Sequence, residues 1–152
     1  MLFEIFQALA EQIADNITMP EGQELHVEPV PFPIAESPNI NMLITDPTGF
    51  EEGLAGFGVD PYAGFPIAIT FRVPSVDLET AIEMALAFMD LDGPMSIIAA
   101  IDADRSLGDV VDTIGWGDGF PWSGFTDFPS VNDDGILLGS RLNIVVVPKA
   151  ST

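Results

Sequence analysis

Carboxylates are the side chains of this chain best able to do chemistry. Its 152 residues hold 24 Asp and Glu against four Lys and Arg, with one histidine and no cysteine. Asp102-x-Asp104-x-Ser106 opens like a calcium loop, whose oxygen ligands recur at alternate positions. Such a loop needs glycine at its sixth position and glutamate at its twelfth, and this chain has Leu107 and Thr113 there. Asp133-Asp134-Gly135 reads as a polar turn and Glu51-Glu52 as a solvated pair in a long connection. Nucleophilic catalysis needs a base beside the nucleophile. His26 lies in a predicted strand with no nucleophile motif around it. One histidine without cysteine also excludes the usual structural zinc sets within a single chain. The glycines at 53, 56, 58 and at 115, 117, 119 match neither the dinucleotide fingerprint nor the phosphate-loop pattern. The chain therefore reads as a non-enzyme without a cofactor or resident metal.

The charge balance narrows the partners. Net charge is −20, and only Arg72, Arg105, Arg141 and Lys149 oppose it. Sequence-independent nucleic-acid binding needs clustered bases to displace counterions, and four scattered ones cannot supply them. An acidic membrane surface is excluded on the same ground. A cationic partner, or a duct that DNA slides through without sticking, remains compatible. Charged residues are only 18% of the chain, hydrophobic residues 47%, and mean hydropathy is +0.35. That combination predicts apolar surface covered by other chains. The alternative is an ordinary acidic protein kept soluble by its charge.

The elements follow from periodicity. Residues 2–17 form an amphipathic helix with Leu2, Phe6, Leu9, Ile13 and Ile17 on one face. This segment lacks a basic region and carries Glu4 and Glu11, so it reads as a structural helix rather than a secretion signal. No apolar run approaches the ~18 residues of a membrane span. Leu25 and Val27 predict a short or edge strand, limited by Pro29, Pro31 and Pro33. A second strand covers 41–45. A Gly- and Pro-rich connection over 46–66 holds several aromatics and reads as an arm packing on its own domain or on a neighbour. Ile67, Ile69, Phe71 and Val73 line one face of the clearest strand. Ser75 or Asp77 caps a helix to about Met89, with Leu78, Ile82, Ala85, Leu86 and Met89 as its apolar face.

Pro94 starts a short helix carrying Ile97, Ile98 and Ile101. It stops at Asp102 to Asp104, and Leu107-Gly108 turns into a strand at 110–116. Asp118-Gly119 signals a hairpin, and residues 121–135 are aromatic and irregular. A closing strand over 136–147 alternates Ile136, Leu138, Leu142, Ile144 and Val146 on one face with Leu137, Arg141, Val145 and Val147 on the other, and reads as buried on both sides at the sheet centre. The tail after Pro148 is loose. The sum is a single α+β domain: a mixed, mostly antiparallel sheet with two or three helices packed on one face.

Two stretches carry a resemblance. One runs from Ile97-Ile98-Ala99-Ala100-Ile101 through Asp104-Arg105-Ser106-Leu107-Gly108 to Val110-Val111; the other is the glycine-led closing strand from Gly135 to Val147. With the strand Ile67 to Val73 followed by Asp77-x-x-x-Ala81, they are similar to the tail terminator proteins of phages with long non-contractile tails. The resemblance implies a small α/β subunit of a hexameric ring, assembled in the host cytoplasm and resident in the virion. Such a ring caps the tail-tube protein and meets the head-closure or neck protein, and DNA passes through its lumen without specific binding. It implies no catalytic residue. The loop at 46–66 and the aromatic stretch at 120–128 are enlarged relative to the family.

Aromatics are enriched at interface hot spots, which makes Phe50, Phe57, Trp116, Phe120, Trp122, Phe125 and Phe128 candidate subunit contacts. Each has the alternative of burial within its own subunit. Arg72, Arg105 and Arg141 are candidates to pair with acids of adjacent copies, since acids are plentiful and bases scarce. The competing readings are a head-closure or tail-tube subunit and an acidic calcium-dependent binding module.

Overall fold

The computed structural model describes residues 2–31, 38–44, 64–74, 77–116, 121–129 and 136–149. In chain order these form α1 (Leu2–Asn16), β1 (His26–Val27), β2 (Asn39–Ile44), β3 (Phe65–Pro74), α2 (Leu78–Met89), α3 (Ile97–Asp102), β4 (Val111–Trp116), β5 (Thr126–Pro129) and β6 (Ile136–Pro148). The strands make a curled sheet in the order β1-β2-β3-β6-β4, with β5 also on β6. Only β1 and β2 run parallel; the other pairs are antiparallel. The fold is α+β with a mixed, mostly antiparallel sheet, as the order of elements predicts.

Strand β6 organises the sheet. One edge pairs with β3 from Leu137 to Val146. The other edge takes β5 over Ile136 to Gly139 and β4 over Ile144 to Pro148, with Trp122 bridging to Leu142 between them. The region 121–129 is therefore partly regular: it lays a short strand and a bridge against β6.

One sheet face and the three helices enclose the core. Ile40 and Met42 of β2, Ile67, Ile69, Phe71 and Val73 of β3, Ile114 of β4, and Leu142, Ile144 and Val146 of β6 join one cluster with residues of all three helices. The Phe71 ring meets Phe88 of α2 at 5.2 Å and Trp122 edge-on at 5.4 Å. Helix α1 buries Ile5, Leu9, Ala10 and Ile13 and packs on α3, where Gln12 Nε2 donates to the Ala100 carbonyl at 2.9 Å.

Three local expectations are corrected. Leu2 stands exposed, so the α1 stripe is centred on Ile5, Leu9 and Ile13. Helix α2 turns Ala81, Ala85, Phe88 and Met89 inward, leaving Leu78 at 61% and Leu86 at 53% exposure. Its alanines allow close approach to the sheet, and Phe88 fills the remaining space against Phe71. Helix α3 begins at Ile97 rather than Pro94. Ser96 is its N-cap, with its hydroxyl accepting from Ala99 N at 3.0 Å and donating to the Asp90 carbonyl at 2.6 Å. The Pro94 carbonyl accepts from Thr18 N at 2.8 Å and ties the segment to the end of α1.

A candidate contact surface on the second sheet face

The face of the sheet turned away from the helices is polar. Side chains alternate along a strand, and the register places Asn39 and Asn41 of β2 beside Arg72 and Thr70 of β3. Thr70 in turn lies opposite Arg141 of β6, and Arg72 opposite Gly139. Glu28, just after β1, donates its N–H to the Ile40 carbonyl at 3.0 Å. Asn39, Asn41, Thr70 and Arg72 are buried. β3 therefore has polar residues inside on one face and apolar residues on the other. Sequence alternation showed the apolar face and left the depth of the polar one unread.

Arg72 is the centre of this layer. Its Nη1 donates to Asn41 Oδ1 at 3.0 Å, and its guanidinium carbon lies 4.5 Å from the centroid of the Phe128 ring. The guanidinium of Arg141 approaches the same ring at 5.9 Å. Burial, and then the neighbouring Arg141 charge, lower the Arg72 pKa from its ordinary value. Gly139 makes the stacking possible. A Cβ there would meet the Phe71 carbonyl oxygen and would lie 2.8 Å from the Phe128 ring.

Among the described residues no carboxylate forms an ion pair with the arginines of this layer. The one ion pair among the described residues joins Arg105 to Asp102 at 2.6 Å, at the end of α3. Neither Arg72 nor Arg141 has such a partner within the described residues. The Thr70 hydroxyl and both Glu28 carboxylate oxygens are shielded from solvent without a hydrogen-bond partner there.

The sequence candidates scatter around this layer. Arg72, Phe128 and Arg141 come together. Trp122 is buried in its own core on the helix-covered side, at 5% exposure, so it is not at the surface. Phe125, just before β5, is exposed. Arg105 and Trp116 form a separate pair, with the guanidinium carbon 5.5 Å from the Trp116 ring. Phe50, Phe57 and Phe120 lie outside the described residues, as does most of the connection over 46–66. Asn41 and Thr70 were missed, although their signal was present: polar residues two apart on three different strands.

The Asp102–Ser106 motif has a structural use. Asp104 Oδ1 accepts from Ser106 Oγ at 2.6 Å and Ser106 N at 3.0 Å, and Oδ2 accepts from Gly108 N at 2.8 Å. These bonds, the Ser106 hydroxyl first, lower the Asp104 pKa from its ordinary value. They hold a turn in which Leu107, Gly108 and Asp109 all have positive φ, at 52°, 65° and 67°. That backbone is unfavourable for leucine. Burial of the Leu107 side chain at 5% exposure offsets the strain. Both Asp104 oxygens are engaged by Ser106 and by the backbone of the turn, and Asp102 Oδ1 accepts from Arg105 Nε.

No protein-family model matches this chain, and no curated protein matches it.

Proposed function

We propose that this chain is a structural subunit of a closed homo-oligomeric ring, acting as a tail terminator that caps a tail tube and joins it to a head-closure or neck protein. One observation carries the reading. Two of four bases in an acid-rich chain stand side by side over one aromatic ring, with no acidic partner among the described residues. Placing like charges together in a partly desolvated site is costly unless a counter-charge arrives. A second copy has acids in excess, and Arg141 is the exposed end of the pair. A neighbour's carboxylate at Arg141, with exposed Phe125 beside β5 as an apolar contact, satisfies both needs. Arginine and aromatic residues are the usual anchors of such contacts.

Native mass spectrometry and single-particle images of the purified chain, alone and with a tube protein, test the proposal. A closed six-fold ring that Arg141→Glu disperses supports it. Open stacks identify a tube subunit instead. A monomer that joins no larger particle under either condition overturns the reading.

A further inference from the structure

We infer that the outer surface of α2 is a docking site for a basic amphipathic segment of a different protein. The inference is independent of the ring and rests on another part of the molecule. Helix α2 is apolar beyond what its own core uses. Leu78 and Leu86 are exposed on its outer side, and Leu91 just after it is 66% exposed. On its other flank a groove of about 240 Å³ runs between α2 and the segment after α1, with Pro20, Met84, Ala87 and Met95 supplying its apolar lining. The groove has room for a large apolar side chain. Two of its lining groups are methionines, whose unbranched side chains adapt to an incoming shape.

Charge selects the occupant. Exposed Glu79 and Glu83 form one bank, continued by Asp90 and Asp92, and exposed Glu21 and Glu24 stand near the other. None of the chain's four bases lines the groove. Arg72 and Arg141 are on the opposite sheet face, Arg105 is held by Asp102, and Lys149 follows the end of β6. A second copy would bring the same acids to this surface and nothing to neutralise them, which disfavours self-association here. A helix with leucine-like residues on one face and Lys or Arg on its flanks meets both requirements, filling the groove with apolar groups and placing cations over the glutamates.

The probe is a labelled Leu/Lys amphipathic peptide of about 18 residues, or five helical turns. It is titrated into the full chain at about 0.15 M salt, where long-range attraction between exposed charges is screened. A peptide of equal composition with scrambled order is the control. The expected result is amide shifts clustered at residues 20–24 and 79–95, and binding at least about tenfold tighter than the scrambled peptide. Glu79→Lys with Glu83→Lys should weaken binding by at least about tenfold, whereas Glu4→Lys with Glu11→Lys on α1 should change it by less than about twofold. All four sites are charged positions on helices, so melting curves verify that each variant is folded. Equal affinity for the scrambled peptide, equal loss from the α1 reversals, or shifts centred elsewhere overturns the inference. Self-association abolished by Leu86→Asp also overturns it, by showing that a second copy occupies the surface.

Discussion

Arg72→Met separates folding from assembly. The substitution keeps an unbranched stem against the sheet and removes the guanidinium. Two favourable contacts are lost: a buried hydrogen bond from a charged donor to Asn41, about 1.5–3 kcal/mol, and a cation–π contact with Phe128, about 0.5–2 kcal/mol. Against them stand the desolvation of the cation, several kcal/mol for a buried ion, and repulsion from Arg141. The opposing terms are of similar size, so urea unfolding should place the variant within about 1 kcal/mol of the parent. Asn41→Ala should behave differently, costing about 2–3 kcal/mol, because it leaves the buried guanidinium without that acceptor. Asn41 has further interactions, so the double variant is needed, with a coupling of at least about 1 kcal/mol between the two positions. Under the ring proposal Arg72→Met weakens assembly in native mass spectra while leaving the subunit folded. An Arg72→Met cost above about 3 kcal/mol with no coupling to Asn41 would refute the reasoning. The guanidinium would then be an ordinary stabiliser of the sheet, and the arginine pair would no longer argue for a neighbour.

Three further outcomes follow from the local geometry. Ser96→Ala should cost about 2 kcal/mol in urea unfolding, since it removes the α3 cap and leaves the Asp90 carbonyl without its 2.6 Å donor; a change under about 0.5 kcal/mol would contradict that role. Gly139→Ala should be more damaging than its size implies, with soluble yield and melting temperature both falling, because its Cβ has no room between the Phe71 carbonyl and the Phe128 ring. Asp104→Ala should lower the melting temperature at pH 7. Because the folded state lowers the Asp104 pKa, this stabilisation is complete above the unfolded value of about 4 and is lost as pH falls through the folded value. The gap between parent and variant should close in acid, and a gap that widened there would show that the turn does not depend on the ionised carboxylate.

Legibility in the sequence tracked how local each determinant is. The strand at Ile67 to Val73 and the closing strand were readable because alternation and β-branched residues are properties of a few neighbours. The α3 stop was readable because acidic residues and glycine act within one turn. The inward face of α2 was misread because leucine outranks alanine in hydrophobicity, while the sheet selects by fit: Ala81 and Ala85 permit the approach that Phe88 needs to reach Phe71. Pro94 was misread because its carbonyl, rather than its ring, has the tertiary role.

The polar layer was least legible, and the reason bears on function. Asn41, Thr70, Arg72 and Arg141 are each unremarkable in their own strands, and only register brings them into two adjacent rows of one face. A sheet of this length could bury apolar side chains on both faces, as Leu137 and Leu138 do at one end of β6. Retaining a cation beneath Phe128 gives up that burial and adds a desolvation cost. Folding alone gives no return for the exchange, because a well-packed apolar residue at position 72 would serve the sheet as well or better. Under the ring proposal the return comes from an interaction in which position 72 or 141 meets an anion, and in a chain with 24 acids a second copy is a ready source of one.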